Sequence, residues 1–438
     1  MTEKKFISLA MMGNVDSGKS TIAGNLLRQL KKVDNKTILR YEKISYEMGK
    51  SSFKYAWVFD QSKAERERGI TINWTTRDFE TDRFHFALMD TPGHHCFVKN
   101  AIRAISQADV AILVVDPTTQ RFPRRYTDQE YNEEYIKISK SFGIEKMVVL
   151  VNKIDEKSFK YSESIFLKTK KEIRRILKEY GYNPKRVPFI PVSGWKGENL
   201  IEKTEQLGWW KGPTFLEALN NLKAPSRKTI IPLRFTIRKP ERISGIGTVV
   251  VGKVETGQVR VGQKLYSPIL EQQFVVNSIE KFHQKVQVGE CGALVGLNLR
   301  NVPWRGLRKV FVLGDLYDDI PRKIIQFTAK ITVLNTNPKR VKVGYNPIIH
   351  ISTAHHLCRL EKIVAKIEKS TNEVLEQNPS FLKKNDSAIV IFKPLRPICA
   401  ECFHQHPALG RILIQEHNII VCAGIITDVQ KMDFLLKN

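Results

Sequence analysis

Residues Gly13, Asn14, Val15, Asp16, Ser17, Gly18, Lys19 and Ser20, with Thr21 next, have the spacing of a phosphate-binding loop: glycine, four residues, then Gly-Lys-Ser. In such a loop the glycines let backbone N–H groups face the phosphates, Lys19 reaches the terminal phosphates, and the Ser20 hydroxyl ligates Mg²⁺. Three further short stretches extend the chemistry. Asp90-Thr91-Pro92-Gly93 puts a carboxylate where it can hold Mg²⁺ through water, with the Gly93 N–H placed to sense a γ-phosphate. Asn152-Lys153-Ile154-Asp155 offers, in Asp155, an acceptor for two hydrogen bonds from a guanine edge, a donor pattern that adenine lacks. Ser193-Gly194-Trp195 can support the base through backbone groups. Each stretch is weak alone. All of them in this order specify GTP.

These stretches need rigid elements to hold them, and the hydrophobic pattern supplies candidates. Apolar runs at 6–12, 84–90, 110–116, 147–152 and 189–192 read as strands, and 19–31, 94–106, 129–142, 163–181 and 213–221 read as helices. Strand and helix in alternation predict an α/β domain with a doubly wound, mostly parallel sheet, its chemistry at the C-terminal strand ends. After Lys223–Lys228 the pattern changes to short β-branched segments punctuated by Gly245, Gly247, Gly252, Gly257 and Gly262, and a second such unit begins near Ile320. The expected organisation is a GTP-binding domain at 1–222 followed by two all-β barrels at 229–318 and 321–438.

The 438 residues carry 71 Lys+Arg against 45 Asp+Glu, a formal charge of +26. Residues 1–220 hold 38 against 28 and residues 221–438 hold 33 against 17, so the excess is larger in the second half. A chain this basic is expected to bind polyanions, nucleic acid first. The 42% hydrophobic content excludes wholesale disorder. No apolar run reaches the roughly 18 residues of a membrane span. Lys4 and Lys5 before Phe6–Met12 faintly imitate a signal peptide, but the run is short and enters the glycine loop directly, so the cytoplasm is the expected compartment. Six scattered cysteines make no disulfide framework.

The loop, the run Lys63–Ile72, Asp90–His94 and Asn152–Asp155 resemble translational GTPases of the elongation factor 1-alpha/Tu class. Ser193-Gly194-Trp195 followed by Gly197 points to the eukaryotic and archaeal branch. The resemblance continues through Gly245–Val249, Gly252–Gly257, Thr353-Ala354-His355 and Pro407–Arg411, essentially the whole chain. It implies that Thr71 ligates Mg²⁺ and contacts the γ-phosphate, alongside Ser20 and, through water, Asp90. It implies that His94 orients the attacking water, with Val15 and Ile70 as the apolar pair that screens it, and that Asp16 holds a monovalent cation. GTP/GDP and Mg²⁺ are the implied cofactors. The implied activity is delivery of aminoacyl-tRNA to the ribosome with ribosome-stimulated hydrolysis, by a monomer that uses a guanine-nucleotide exchange factor and no membrane.

Some residues depart from the family pattern. His95 and Cys96 replace an Arg-Asp or Ala-Asp pair, and the region 121–131 lacks the usual signature. Ala293-Leu294 stands where aminoacyl-tRNA carriers have Asp-Asn, which puts the ordinary cargo in doubt. A rescue- or termination-type GTPase carrying a tRNA-mimicking protein, or a divergent paralogue acting as an RNA-binding module, is an alternative, although Ala293-Leu294 matches none of the three relatives and favours neither rival. A first strand beginning at Phe6 and Thr353-Ala354-His355 favour the elongation factor, since the rival types usually carry a long N-terminal extension.

Other clusters are read more plainly. Cys399, Cys402, His404 and His406 have the composition of a zinc site, but no tight turn brackets the cysteines, and 397–403 reads as a strand whose positions three apart face opposite sides. Trp209-Trp210 reads as a hydrophobic plug. Arg121, Arg124 and Arg125, and likewise Lys339, Arg340 and Lys342, are candidate phosphate contacts.

Overall fold

The computed structural model describes residues 4–118, 128–282, 284–300, 302, 307, 311–335 and 341–433. It divides into two compact units, Met1–Pro225 and Ser226–Asn438.

In the first unit, six strands form one sheet: β1 (Lys5–Met12), β2 (Thr75–Glu80), β3 (Phe84–Asp90), β4 (Val110–Val115), β5 (Lys146–Val151) and β6 (Phe189–Pro191). Their order is β2-β3-β1-β4-β5-β6, all parallel except β2, which runs antiparallel to β3. β1, β4 and β5 are buried along nearly their whole length because helices cover both faces, which is why they read as continuous apolar runs rather than alternating ones. The helices are α1 (Lys19–Gln29), α2 (Asn35–Glu47), α3 (Lys63–Arg68), α4 (Val98–Ile105), α5 (Asp128–Ser141), α6 (Glu163–Glu179) and α7 (Phe215–Asn220). The core joins Leu9, Ile22, Leu26, Phe86, Ile112 and Leu150 across the sheet.

The sequence leaves α2, α3 and β2 unassigned, and it extends α4 too far towards its N-terminus. His95–Phe97 is a separate 3-10 turn, and His94 before it has extended backbone at φ −84°, ψ 133°. His94 caps that turn, its side chain accepting from Cys96 N–H, so the regular helix starts only at Val98.

The second unit is two closed six-stranded barrels. The first is built from β7 (Arg234–Ile243), β8 (Gly247–Thr256), β10 (Lys264–Ser267), β11 (Gln272–Lys281), β14 (Leu294–Arg300) and β15 (Val312–Asp315), with short β9 (Gln258–Arg260), β12 (Gln284–Val286) and β13 (Val288–Glu290) at its margins. It closes where β10 pairs with both β11 and β15. The second uses β16 (Ile324–Val333), β18 (Ile348–Ile351), β19 (Ala354–Ile367), β22 (Ser387–Pro394), β23 (Arg411–Glu416) and β24 (Ile419–Lys431). Short β17 (Val341–Lys342), β20 (Val374–Gln377) and β21 (Phe381–Leu382) flank it, and pairing of β18 with both β19 and β23 closes it. Closure removes the free edges that an open sheet would leave. Each barrel has its own core, around Phe235, Val254 and Leu297 in one and around Phe327, Leu360 and Phe392 in the other.

The stretch 397–403 is not a strand, contrary to the sequence reading. It is irregular, with one bridge from Ile398 to Ile324. Cys399 and Cys402 are both buried, Cys399 packed with Val312 and Leu409. Arg121, Arg124, Arg125, Lys339 and Arg340 lie outside the described residues, and Lys342 is exposed on β17.

Candidate functional site

The loop after β1 turns sharply enough to put three residues, Gly13, Asp16 and Gly18, at positive φ. Gly18 adopts φ +93°, and a Cβ there would lie 2.2 Å from the Asn152 side-chain nitrogen. That nitrogen is not free to give way, because Asn152 Nδ2 donates to the Ser17 carbonyl at 2.8 Å while Asn152 Oδ1 accepts from Gly194 N–H at 2.9 Å. One side chain thus fastens three separate stretches: the loop, the end of β5 and the Ser193–Trp195 segment. Asp16 follows with φ +60°. Gly13, Asn14, Val15 and Ser17 complete the turn, the Asn14 side chain accepting from Val15 N–H at 2.8 Å.

Lys19 and Ser20 open α1 and Thr21 is the next residue along it. Lys19 is buried, with Nζ donating to the Asn14 carbonyl at 2.6 Å. Burial pulls its ammonium down to about 8, against the opposing charges of Asp90, Asp16 and Asp60. Gly93 closes over it: a Cβ there would lie 2.5 Å from Lys19 Nζ and 2.9 Å from the Asn14 carbonyl. Any other residue at 93 would fill this space.

Next to Lys19 four oxygens meet. The Ser20 hydroxyl donates to Asp90 Oδ2 at 2.6 Å and lies 3.3 Å from the Thr71 hydroxyl, and Thr71 donates to Asp60 Oδ1 at 3.1 Å. Asp90 and Asp60 are both buried. Burial pushes the Asp60 carboxyl up to about 7, with the neighbouring Asp90 charge adding to the effect. Burial likewise pushes Asp90 up to about 6, partly offset by the Ser20 hydrogen bond and Lys19. A hard oxygen set with two carboxylates forced toward neutrality fits a small divalent cation, which would restore the charge balance.

Asp60 is the member of this set that sequence reasoning missed, and Glu65 is a second omission. Glu65 caps α3 in a box with Ser62, and its other oxygen accepts from Ile72 and Asn73 N–H, both at 3.0 Å. Burial raises its carboxyl, but the Asn73 and Ser62 hydrogen bonds win and hold it below its ordinary value. Asn100 Nδ2 donates to the Ile72 carbonyl at 2.8 Å, and Arg66 Nε to the Asp60 carbonyl at 2.9 Å. These bonds fix the chain on both sides of Ile70 and Thr71. The sequence signal was available in Ser62-x-x-Glu65, a capping-box pattern.

At the far end of the sheet, Lys153 at φ +63° forms a 2.7 Å ion pair with Asp116, and Asp155 is half-buried. Ser193 and Gly194 are buried, and Trp195 is 42% exposed, edge-on to Tyr55 with Lys54 over its ring. Asn25 and Gln29 on α1 hold this segment by its Gly194, Trp195 and Gly197 carbonyls. His94 lies just past Gly93, half-buried, its Nδ1 accepting from Cys96 N–H at 3.2 Å. Val15 and Ile70 are both half-buried. The indoles of Trp209 and Trp210 pack on Phe166 and donate to the Tyr161 and Pro213 carbonyls, as a plug would.

Comparison with known proteins shows the family. Residues 4–225 match the model of the elongation factor Tu GTP binding domain, 247–312 that of elongation factor Tu domain 2, and 326–427 the GTP-eEF1A C-terminal domain-like family. The chain is 41% identical to elongation factor 1-alpha of Euglena gracilis, covering 98% of this chain and 96% of the relative. It is 39% identical to elongation factor 1-alpha of Saccharomyces cerevisiae, covering 99% and 97%. Among solved structures, the GTP-bound Ski7 GTPase-like domain of S. cerevisiae superposes with a TM-score of 0.78 at 18% identity, covering 97% of this chain and 98% of that one, a likeness of fold. With its loop, its sheet and both barrels thus matched, the chain belongs to the elongation factor 1-alpha family of translational GTPases.

Proposed function

We propose that the chain binds GTP with Mg²⁺ at the β1–α1 loop and delivers aminoacyl-tRNA to the ribosome, where hydrolysis is stimulated. The observation that carries the nucleotide part is the meeting of Ser20, Thr71, Asp60 and Asp90 beside buried Lys19. When bound, Mg²⁺ supplies charge neutralisation between the phosphates. The chain's own residues do the rest. Backbone N–H groups of Gly13–Thr21 cradle the phosphates, and Lys19 exchanges the Asn14 carbonyl for phosphate oxygens. Ser20 and Thr71 ligate the metal, Asp90 and Asp60 hold its water, and Gly93 N–H senses the γ-phosphate. Asn152, Lys153 and Asp155 take the guanine from one side, with Ser193, Gly194 and Trp195 supporting it. His94 orients the attacking water with Nε2, since Nδ1 already accepts a hydrogen bond. Val15 and Ile70 screen it until the ribosome repositions it, and Asp16 holds a monovalent cation.

We divide the chain functionally at 1–222, 229–318 and 321–438 and place it in the cytoplasm as a monomer served by an exchange factor. Among the described residues no helix is long and apolar enough to cross a membrane.

One observation favours a second reading of the cargo. Ala293 is buried in the first barrel's core and Leu294 opens β14, so neither side chain offers a hydrogen bond where aminoacyl-tRNA carriers are polar. A tRNA-mimicking protein of the rescue or termination type is the corresponding cargo. Titration of aminoacyl-tRNA and deacylated tRNA at one fixed salt, with the protein in its GTP-analogue and GDP forms, decides between them. A preference for the charged tRNA of more than about tenfold, seen in the GTP form alone, supports delivery. Equal, nucleotide-independent binding overturns it, because a chain of +26 holds any RNA through its phosphates.

A further inference from the structure

Directly after Gly93 the chain carries three soft ligands in a row, His94, His95 and Cys96, and the last two are departures from the family pattern. One ligand atom from each lies within 4.8 Å of the others. His95 Nε2 is 3.5 Å from Cys96 Sγ. In a tetrahedral zinc site with Zn–S of ~2.3 Å and Zn–N of ~2.0 Å, sulfur and nitrogen also sit about 3.5 Å apart. The two imidazoles are stacked, 4.4 Å between centroids and 27° between planes, so one ring must turn for both in-plane lone pairs to meet one ion. His95 and Cys96 are exposed and His94 is half-buried, which leaves an entry path. Cys96 is the exposed cysteine of the six; the other five are buried.

We propose that His94, His95 and Cys96 bind a soft divalent cation, Zn²⁺ above all, and that its binding takes His94 out of hydrolysis. Three protein ligands leave the fourth position to water, and Cys96 gives up its thiol proton to solvent as Sγ becomes a thiolate. The hard oxygen set of Ser20, Thr71, Asp60 and Asp90 selects Mg²⁺, so two neighbouring sites sort two metals by ligand softness. The inhibitory half rests on His94 orienting the attacking water. The metal site itself does not.

Co²⁺ titration of the GDP-bound full chain, with Mg²⁺ in excess, tests the site without reference to turnover. Oxygen-bound cobalt gives no thiolate charge-transfer absorption, so the band reports sulfur alone. The expected result is a band that saturates near one equivalent, is displaced by Zn²⁺, disappears in Cys96→Ser and needs more than about tenfold more metal in His95→Ala. No band, or a band that survives Cys96→Ser, overturns the site. Zn²⁺ is then expected to slow ribosome-stimulated hydrolysis at least tenfold in the wild type and to leave Cys96→Ser at its zinc-free rate. Equal slowing of both overturns the inhibition. A His94→Ala chain that keeps full turnover would remove the hydrolytic role of His94 and the inhibition with it, while the cobalt band would still decide whether the site exists.

Discussion

Lys19, Asp60 and Asp90 in the first unit and Arg234, Asp319 and Glu401 in the second are both sets of one cation and two carboxylates, all but Asp319 largely withdrawn from water. Their electrostatic outcomes are opposite. Arg234 Nη2 lies 2.7 Å from both Asp319 Oδ2 and Glu401 Oε1, its Nε donates to Glu401 at 2.9 Å, and Lys431 pairs with the other Glu401 oxygen at 2.9 Å. Burial alone would lower the Arg234 guanidinium, but Glu401 and Asp319 reverse that and hold it above its ordinary value. In the first unit burial wins: it pulls Lys19 down to about 8 against the nearby acids and pushes both carboxyls up, with the Asp90 charge adding to the rise of Asp60. Buried charge arranged to satisfy itself joins β7 of the first barrel to the 397–403 stretch that adjoins the second. Buried charge left unbalanced belongs to a site that a ligand completes. The same contrast disposes of the Asp319, Glu401 and His406 cluster as a metal centre, since Arg234 already occupies its middle.

Removing the cation separates the two sets most sharply. Arg234→Met leaves Glu401 buried with half its pairing gone, and a loss of about 3–5 kcal/mol in the barrel unit is expected. Urea unfolding read by hydrogen exchange along β7 and β24 measures it. A loss below 1 kcal/mol would mean that the Arg234 cluster is no more self-sufficient than the Lys19 cluster. Lys19→Met is the matched change. It removes charge-assisted hydrogen bonds to phosphate of about 1.5–3 kcal/mol, so GDP binding should weaken ten- to hundredfold while the nucleotide-free chain unfolds at the same temperature or higher.

Much of the first set is legible in the sequence because its chemistry is local. Lys19 and Ser20 come with their glycines, Asp90 with Thr91-Pro92-Gly93, and Asn152 with Asp155, each at the end of a strand whose apolar run marks it. Asp60 was not legible, since it belongs to no short motif and joins Thr71 through a turn and a six-residue helix. Arg234 and Glu401 were invisible for a stronger reason: they are 167 residues apart, and nothing in either neighbourhood announces the other. The misreading of 397–403 as a strand has the same source. Its apolar residues look β-like, but Glu401 must turn inward to Arg234, and a chain that buries Cys399, Glu401 and Cys402 together cannot alternate.

Neutralising one acid should carry opposite signs in the two sets. Asp60→Asn relieves the repulsion with Asp90 and is expected to stabilise the nucleotide-free, metal-free chain by about 1 kcal/mol, while raising the Mg²⁺ needed for tight GDP binding. Glu401→Gln should destabilise its unit, because Arg234 and Lys431 lose their buried counter-charge together and Arg234 keeps only the half-exposed Asp319. Thermal unfolding in EDTA compares them directly. Two losses of similar size would show that the first set is balanced without a ligand.

The smallest effect concerns pH. Burial pushes the Asp319 carboxyl up, but the Arg234 and Lys431 charges outweigh it and hold the group below its ordinary value. A carboxyl lowered in the folded state stabilises that state fully above its unfolded value of 3.8 and loses the contribution as pH falls through its lower folded value. Asp319 is 45% exposed, so salt and solvent screen the pair and the contribution is under about 1 kcal/mol. The barrel unit should therefore lose a little stability below pH 4, and Asp319→Asn should flatten that part of the profile and make the wild type and variant converge in strong acid. Measured in low and high salt, the difference between the two chains above pH 4 should shrink with added salt. The Arg234→Met loss should not, because its partner Glu401 is shielded from the screening ions.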